Sequence, residues 1–229
     1  MASPAVRADR ALTRGYPLGL LQWLKVGAVV PSHGSRPVGR LAYAARRERG
    51  DRVSSFRRSG DGFMRCSDGH VRWGIFGAAG VLFVWRSRGI EGLADGTPLV
   101  MLQQRSAWAH EGGTWSCAGG ALDEGETAYE GALREASEEV GEIPEAHRVL
   151  GEYVFAPATD WTYTTLVVEV DRHFGASVNF ETDAVVWVPC DLVEHRPLHA
   201  GFAAAWPHLR AIVEAPAHEA PGVSDDAPN

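Results

Sequence analysis

The stretch GGALDEGETAYEGALREASEEVG, residues 119–141, decides the fold. Its second half places Glu135, Glu138 and Glu139 three and four residues apart. On a helix, carboxylates at that spacing are neighbours and repel by roughly 0.2–0.5 kcal/mol per pair. Thr127 can serve as an N-cap, with Glu130 three residues later as its capping-box partner. Ala128, Ala132, Leu133, Ala136 and Val140 form an apolar stripe, and Gly141 suits the C-terminal stop. The pattern predicts a helix from Thr127 to Val140, one face buried and the other gathering negative charge. A solvated acidic face would account for EASEE alone. The Gly119–Gly120 pair and the acidic loop before the helix argue for a face that holds a cation. Magnesium suits it, since that ion takes oxygen ligands and usually bridges to substrate phosphates.

Strands are expected on both sides of this helix. WGIFGAAGVLFVW (Trp73 to Trp85) reads as an apolar strand and PLVMLQQR (Pro98 to Arg105) as a second, joined by a turn-rich loop into a hairpin. TWSCA (Thr114 to Ala118) suits a short third strand, running into a GGALDEGE loop. Further strands are expected at Val149 to Ala156, Trp161 to Val170 and Ala184 to Pro189. In a last helix, GFAAAWPHLRAIV, Pro207 predicts a break or a new first turn. The fold class is mixed α/β (α+β), with one folded domain over residues 69–213.

Charge is divided unevenly along the chain. Residues 1–60 hold 12 Lys and Arg against 3 Asp and Glu; the remainder holds 10 against 26, so the net −7 splits into +9 and −16. The first segment shows no sustained period and reads as a disordered or loosely helical extension. Its sharper reading is a basic arm touching nucleic acid or an acidic partner. Residues 214–229 are Pro- and Asp-rich and read as a disordered tail. Pro17 to Pro31 is the longest apolar run, yet Lys25 and its length argue against a membrane span. Three scattered cysteines, Cys66, Cys117 and Cys190, suit a reducing cytoplasm and no disulfide framework. CSDGH places Cys66 near His70, but no second ligand pair for zinc accompanies it.

Gly120, Glu126, Arg134, Glu135, Glu138, Glu139 and Gly141 together resemble the signature box of the Nudix hydrolases. At average residue usage, a chance match at seven fixed positions in such a chain is on the order of one in a million. The resemblance implies an α/β/α sandwich around a mixed sheet and magnesium- or manganese-dependent hydrolysis of a nucleoside diphosphate linked to another group. It implies that Glu135 activates or positions the attacking water, that Arg134 orients it, and that Glu138 and Glu139 are metal ligands beside the Gly119 carbonyl. Glu126 is implied to be structural. Glu181, six residues before Trp187, resembles a further metal-binding glutamate of MutT-type members.

Segments beyond the box, WAHEGGTWSCAGGA and PLHAGFAAAW among them, resemble an actinobacterial MutT-type subgroup acting on 8-oxoguanine nucleoside triphosphates (8-oxo-dGTP or 8-oxo-GTP). Arg105, fourteen residues before Gly119, matches a nucleotide-contacting arginine there. Ser116, Cys117, Ala118 and Gly119 match a stretch whose backbone lines the pocket. Trp108, Trp115, Trp161 and Tyr163 are candidates for a base-stacking wall, against plain core packing for each. Three positions depart from the pattern: Ala118 where a proline is usual, Glu142 where an apolar residue is preferred, and Ala200 for the subgroup's proline. ADP-ribose or dinucleoside polyphosphate hydrolysis, and non-catalytic nucleotide sensing, are the competing readings.

Overall fold

The computed structural model describes residues 57–107, 111–175 and 182–215. Nine strands are formed by these residues: β1 Phe63–Arg65, β2 Val71–Trp73, β3 Ala78–Arg86, β4 Pro98–Arg105, β5 Trp115–Ser116, β6 Ala118–Ala121, β7 His147–Ala158, β8 Trp161–Val170 and β9 Thr182–Pro189. Helix α1 covers Ala128–Val140, a 3₁₀ turn Cys190–His195 and helix α2 Ala200–Glu214. Residues 1–56 of the expected basic extension and the tail beyond Ala215 lie outside the described residues, as do Trp108 and Glu181.

Strands β3 to β9 make one sheet in which β3 and β8 run parallel while every other pairing is antiparallel. The sheet is therefore mixed, as expected. On β3 the pleat sends Ala79, Val81 and Phe83 to one face, where they pack with Ala132, Ala136 and Val140 of α1. Leu82 and Val84 point to the other, against Phe202, Trp206 and Leu209 of α2. Burial on both faces explains why β3 reads as a nearly continuous apolar run rather than an alternating one. A helix lies on each side of the sheet, which gives the α/β/α sandwich.

Helix α1 forms where the capping signal placed it. Thr127 accepts from the Glu130 backbone N–H, and the Glu130 side chain accepts in return from Thr127 N. At the other end Gly141 takes φ +92°, a conformation that favours glycine.

Four expectations change. The single strand from Trp73 to Trp85 is two, because Gly74 and Gly77 adopt φ +94° and +92° and break the run between β2 and β3. Gly119 to Ala121 extend as β6 along the start of β3 rather than forming loop. Helix α2 continues through Pro207 without a break. Its buried residues, Phe202, Ala205 and Trp206 before the proline and Leu209 and Val213 after it, hold both halves on one core, and that burial outweighs the lost hydrogen bond. Folded structure also starts well before Gly69. Gly60 N donates to Asp123 Oδ1, Glu124 N donates to the Arg58 carbonyl, and β1 pairs with β2 across the CSDGH turn. There Asp68 pairs with Arg72 through two hydrogen bonds, so the turn is a structural hairpin tip.

Replacing Thr127 with Ala removes the reciprocal cap. Urea unfolding is expected to show a loss of about 1 kcal/mol, with an unchanged denaturant slope.

Candidate active site

Arg134 is the hub of the loop–helix unit. Its Nε and Nη2 donate to Glu126 Oε1 and Oε2, each at 2.9 Å. Nη2 also donates to the Ala121 carbonyl at 2.9 Å, and Nη1 to Glu135 Oε1 at 2.7 Å. Glu126 Oε2 further accepts from Asp123 N at 2.9 Å. One guanidinium thus fastens the loop after β6, the strand end and the helix together through bidentate geometry. Glu126 has a side chain only 5% exposed, and its carboxyl is held below the usual range first by the Arg134 hydrogen bond. The same bonds raise the Arg134 pKa. Glu126 ties the loop to the helix through Arg134.

Glu135 lies half-buried against Gly120. A Cβ on Gly120 would sit 2.4 Å from Glu135 Oε2, so only glycine permits this approach. Burial is the main influence raising the Glu135 carboxyl above its ordinary value; Glu138 and Asp61 add repulsion, and Arg134 opposes both. Glu139, 7% exposed, points the other way. Its Oε2 accepts from Gly119 N and from Gln103 Nε2, both at 2.9 Å. Glu138, with a side chain 61% exposed, stands 3.8 Å from Arg134 Nη1.

The three box glutamates therefore share a helix but not a setting. Among the described residues, no three His, Cys, Asp or Glu side chains are placed to hold a metal ion together. The reason is local. Arg134 draws Glu135, the β4–β6 wall draws Glu139, and Glu138 faces solvent. The donor chemistry nevertheless fits a hard cation, since magnesium keeps several waters and needs only one or two carboxylates beside substrate phosphates.

Of the expected nucleotide-contacting residues, Arg105 ends β4, where its N–H donates to the Thr114 carbonyl. Ser116, Cys117 and Ala118 are buried, and the Cys117 thiol, pushed up to about 12 by burial, faces the α2-side core. Gly119 pairs with Gly80. Two of the candidate stacking aromatics are packing residues instead. Trp115 is buried under Arg196, whose guanidinium lies 4.5 Å from the ring centroid. Trp161 is buried and donates to the Trp73 and Gly74 carbonyls. Tyr163 is half-buried, and its hydroxyl lies against Gly80 and Gly119, 2.5 and 2.9 Å from where their Cβ atoms would be. Sequence reading passed over Gln103 and Thr182, although a glutamine following the apolar run PLVML was a visible signal.

Residues 76–209 match the family model of the NUDIX domain. Over 159 residues, 67% of this chain and 70% of the relative, the sequence is 41% identical to a Mycobacterium tuberculosis protein named "Putative 8-oxo-dGTP diphosphatase 3". It is 36% identical over 165 residues to a Bifidobacterium longum protein named "Nucleoside triphosphate pyrophosphatase/Nudix hydrolase fusion protein", covering 71% of this chain and 33% of that one. Among solved structures, a Nudix hydrolase from M. smegmatis, RenU, is similar with a TM-score of 0.56 and 36% identity, over 67% of this chain and 94% of that one.

The Glu126–Arg134 pair makes stability depend on pH. Because the folded Glu126 pKa is depressed, its contribution is fully present above the ordinary value of 4.5 and is lost as pH falls through the lower folded value. Glu126→Gln is expected to lower the melting temperature at pH 7 and to narrow its gap to the unmodified protein as pH drops from 5 toward 3. Thermal melts across that range check it.

Proposed function

The chain belongs to the Nudix family, and from that premise we propose that it hydrolyses nucleoside triphosphates of the 8-oxo-dGTP or 8-oxo-GTP kind to the monophosphate and pyrophosphate. The observation that carries the reading is Glu135: a carboxylate half-buried against Gly120, aimed by a 2.7 Å bond from Arg134, with its proton affinity raised by burial. A general base needs a fixed position, and the Arg134 hydrogen bond and the close approach to Gly120 support that role for Glu135. The substrate class is supported by the 41% identity to the M. tuberculosis protein and by the resemblance of the segments around the box.

In the proposed reaction a water oxygen attacks one phosphorus of the anhydride chain. The bridging oxygen leaves with the bonding electron pair, and the water's proton passes to Glu135. Arg134 keeps the receiving carboxylate in place throughout, since its other donors are fixed on Glu126 and the Ala121 carbonyl. Glu135, Glu138 and Glu139, with the Gly119 carbonyl and Glu181, would hold the magnesium, or manganese in its place. When bound, such a cation neutralises phosphate oxygens and lowers the pKa of coordinated water. Arg105 and the backbone of Ser116 to Gly119 are the proposed nucleotide contacts. Helix α2 and the other described helices include none long and apolar enough to cross a membrane.

The test is product identification. With magnesium, the full chain should release pyrophosphate from 8-oxo-dGTP or 8-oxo-GTP faster than from dGTP, ADP-ribose or diadenosine polyphosphates. Release from none of them sinks the reading; a preference for ADP-ribose or a dinucleoside polyphosphate reassigns the substrate. Glu135→Gln should cut kcat by about 10²- to 10⁴-fold while nucleotide binding persists.

A further inference from the structure

We propose that Gln103 is a positioning residue that fixes the Glu139 carboxylate for cation binding, with Thr182 completing the support. The proposal rests on the reading of Glu139 as a cation ligand. On the α1 side of β4, Leu99 and Met101 are followed two residues on by Gln103, which is just 3% exposed. A buried amide is costly unless its donors and acceptor are satisfied. Gln103 Nε2 donates to Glu139 Oε2 at 2.9 Å, and Gln103 Oε1 accepts from Thr182 Oγ1 at 3.1 Å. Thr182 is likewise 3% exposed. The chain of bonds therefore runs from β9 through β4 to α1, and the Gly119 N–H of β6 closes on the same Glu139 oxygen.

An amide can present either end. A cation ligand must be ionised, and an ionised Glu139 admits only the sense in which Nε2 faces it; the reversed sense would set Oε1 against Oε2. The Thr182 hydroxyl then donates to the acceptor side of the amide, so the sense that serves Glu139 leaves no polar atom of Gln103 idle. Fastening the helix to the sheet does not require this arrangement. Ala132, Ala136 and Val140 already bury α1 against the sheet, and a leucine at position 103 would pack beside Leu99 and Met101. What the glutamine adds, and a leucine would not, is a side-chain donor aimed at the carboxylate beside the Gly119 N–H, and donors behind a metal ligand set its orientation.

The decisive measurement uses Mn2+ alone, titrated into the full chain without nucleotide and followed by electron paramagnetic resonance of the free ion. Gln103→Leu is expected to bind Mn2+ about tenfold more weakly while melting cooperatively. Thr182→Val should weaken binding less, Thr182→Ser should restore it, and the Gln103→Leu/Thr182→Val pair should be no weaker than Gln103→Leu alone. In turnover, Gln103→Leu should raise the magnesium concentration for half-maximal rate and leave the nucleotide KM at saturating magnesium within about twofold. A folded Gln103→Leu with unchanged Mn2+ affinity overturns the proposal. Should that variant not fold, unchanged affinity in Thr182→Val overturns it. Failure of every nucleotide to react would defeat the hydrolase reading and leave the Mn2+ comparison standing; an unaltered chain that binds no Mn2+ overturns the present proposal and leaves the hydrolase reading to the product assay.

Discussion

The guanidinium of Arg134 is the constraint on which the rest of the site depends. It is bonded at once to Glu126, to the Ala121 carbonyl and to Glu135. Without it, Glu126 would be an unpaired carboxylate under the loop, with a side chain 5% exposed, and breaking one partner of a buried pair costs far more than the pair contributes. At the start of the loop between β6 and α1, Leu122 packs against the α1-side core. The loop's further path is set by polar geometry: Arg134 from the helix, and Gly60 N from the incoming chain, which donates to Asp123 Oδ1. Gly120 then brings the strand close enough for Glu135 to lie flat against it.

Much of this was legible in the sequence, for physical reasons. Capping is a local interaction between residues three apart, so Thr127 and Glu130 announced the helix start. Strand β8 was read from Trp161 to Val170 and strand β4 from Pro98 to Arg105 because both are β-branched or apolar runs bounded by turn residues. The failures are equally physical. Two positive-φ glycines, Gly74 and Gly77, cut one apolar run in two, and a glycine's φ is not written in its identity. Gly119 and Gly120 look like loop residues, yet β3 offers them partners and they pair as strand. Pro207 should end a helix by local rules, but the core on both sides of it overrides them.

The site was legible to a different depth. Residue types and spacing single out Arg134, Glu126 and the box glutamates as candidates, because all lie within one loop–helix unit whose geometry is local. Gln103 and Thr182 are far from the box in sequence and reach Glu139 only through the pairing of β4 with β9 and the packing of α1 on that face. Trp115 and Trp161 erred in the opposite direction. An aromatic near a predicted pocket is ambiguous until its neighbours are known, and here Arg196, Trp73 and Gly74 occupy them.

Three glutamates that a sequence writes with the same letter end in three environments, and the division follows from helix geometry. Positions 135 and 139 are four apart and lie toward the sheet; position 138 is rotated away and meets water. Near the sheet, what each carboxylate meets is decided by the nearest donor. Glu135 reaches a side-chain cation, Arg134, whose charge offsets part of its burial. Glu139 reaches a backbone N–H and a buried amide, neutral donors whose positions the sheet fixes. A base must be able to change protonation, which a nearby charge that can be outweighed by burial allows. A ligand must hold its orientation, which fixed neutral dipoles provide without cancelling its charge. The proposed roles, proton acceptance for Glu135 and orientation-dependent cation binding for Glu139, therefore rest on what surrounds each side chain, and the box spacing acts by choosing those surroundings.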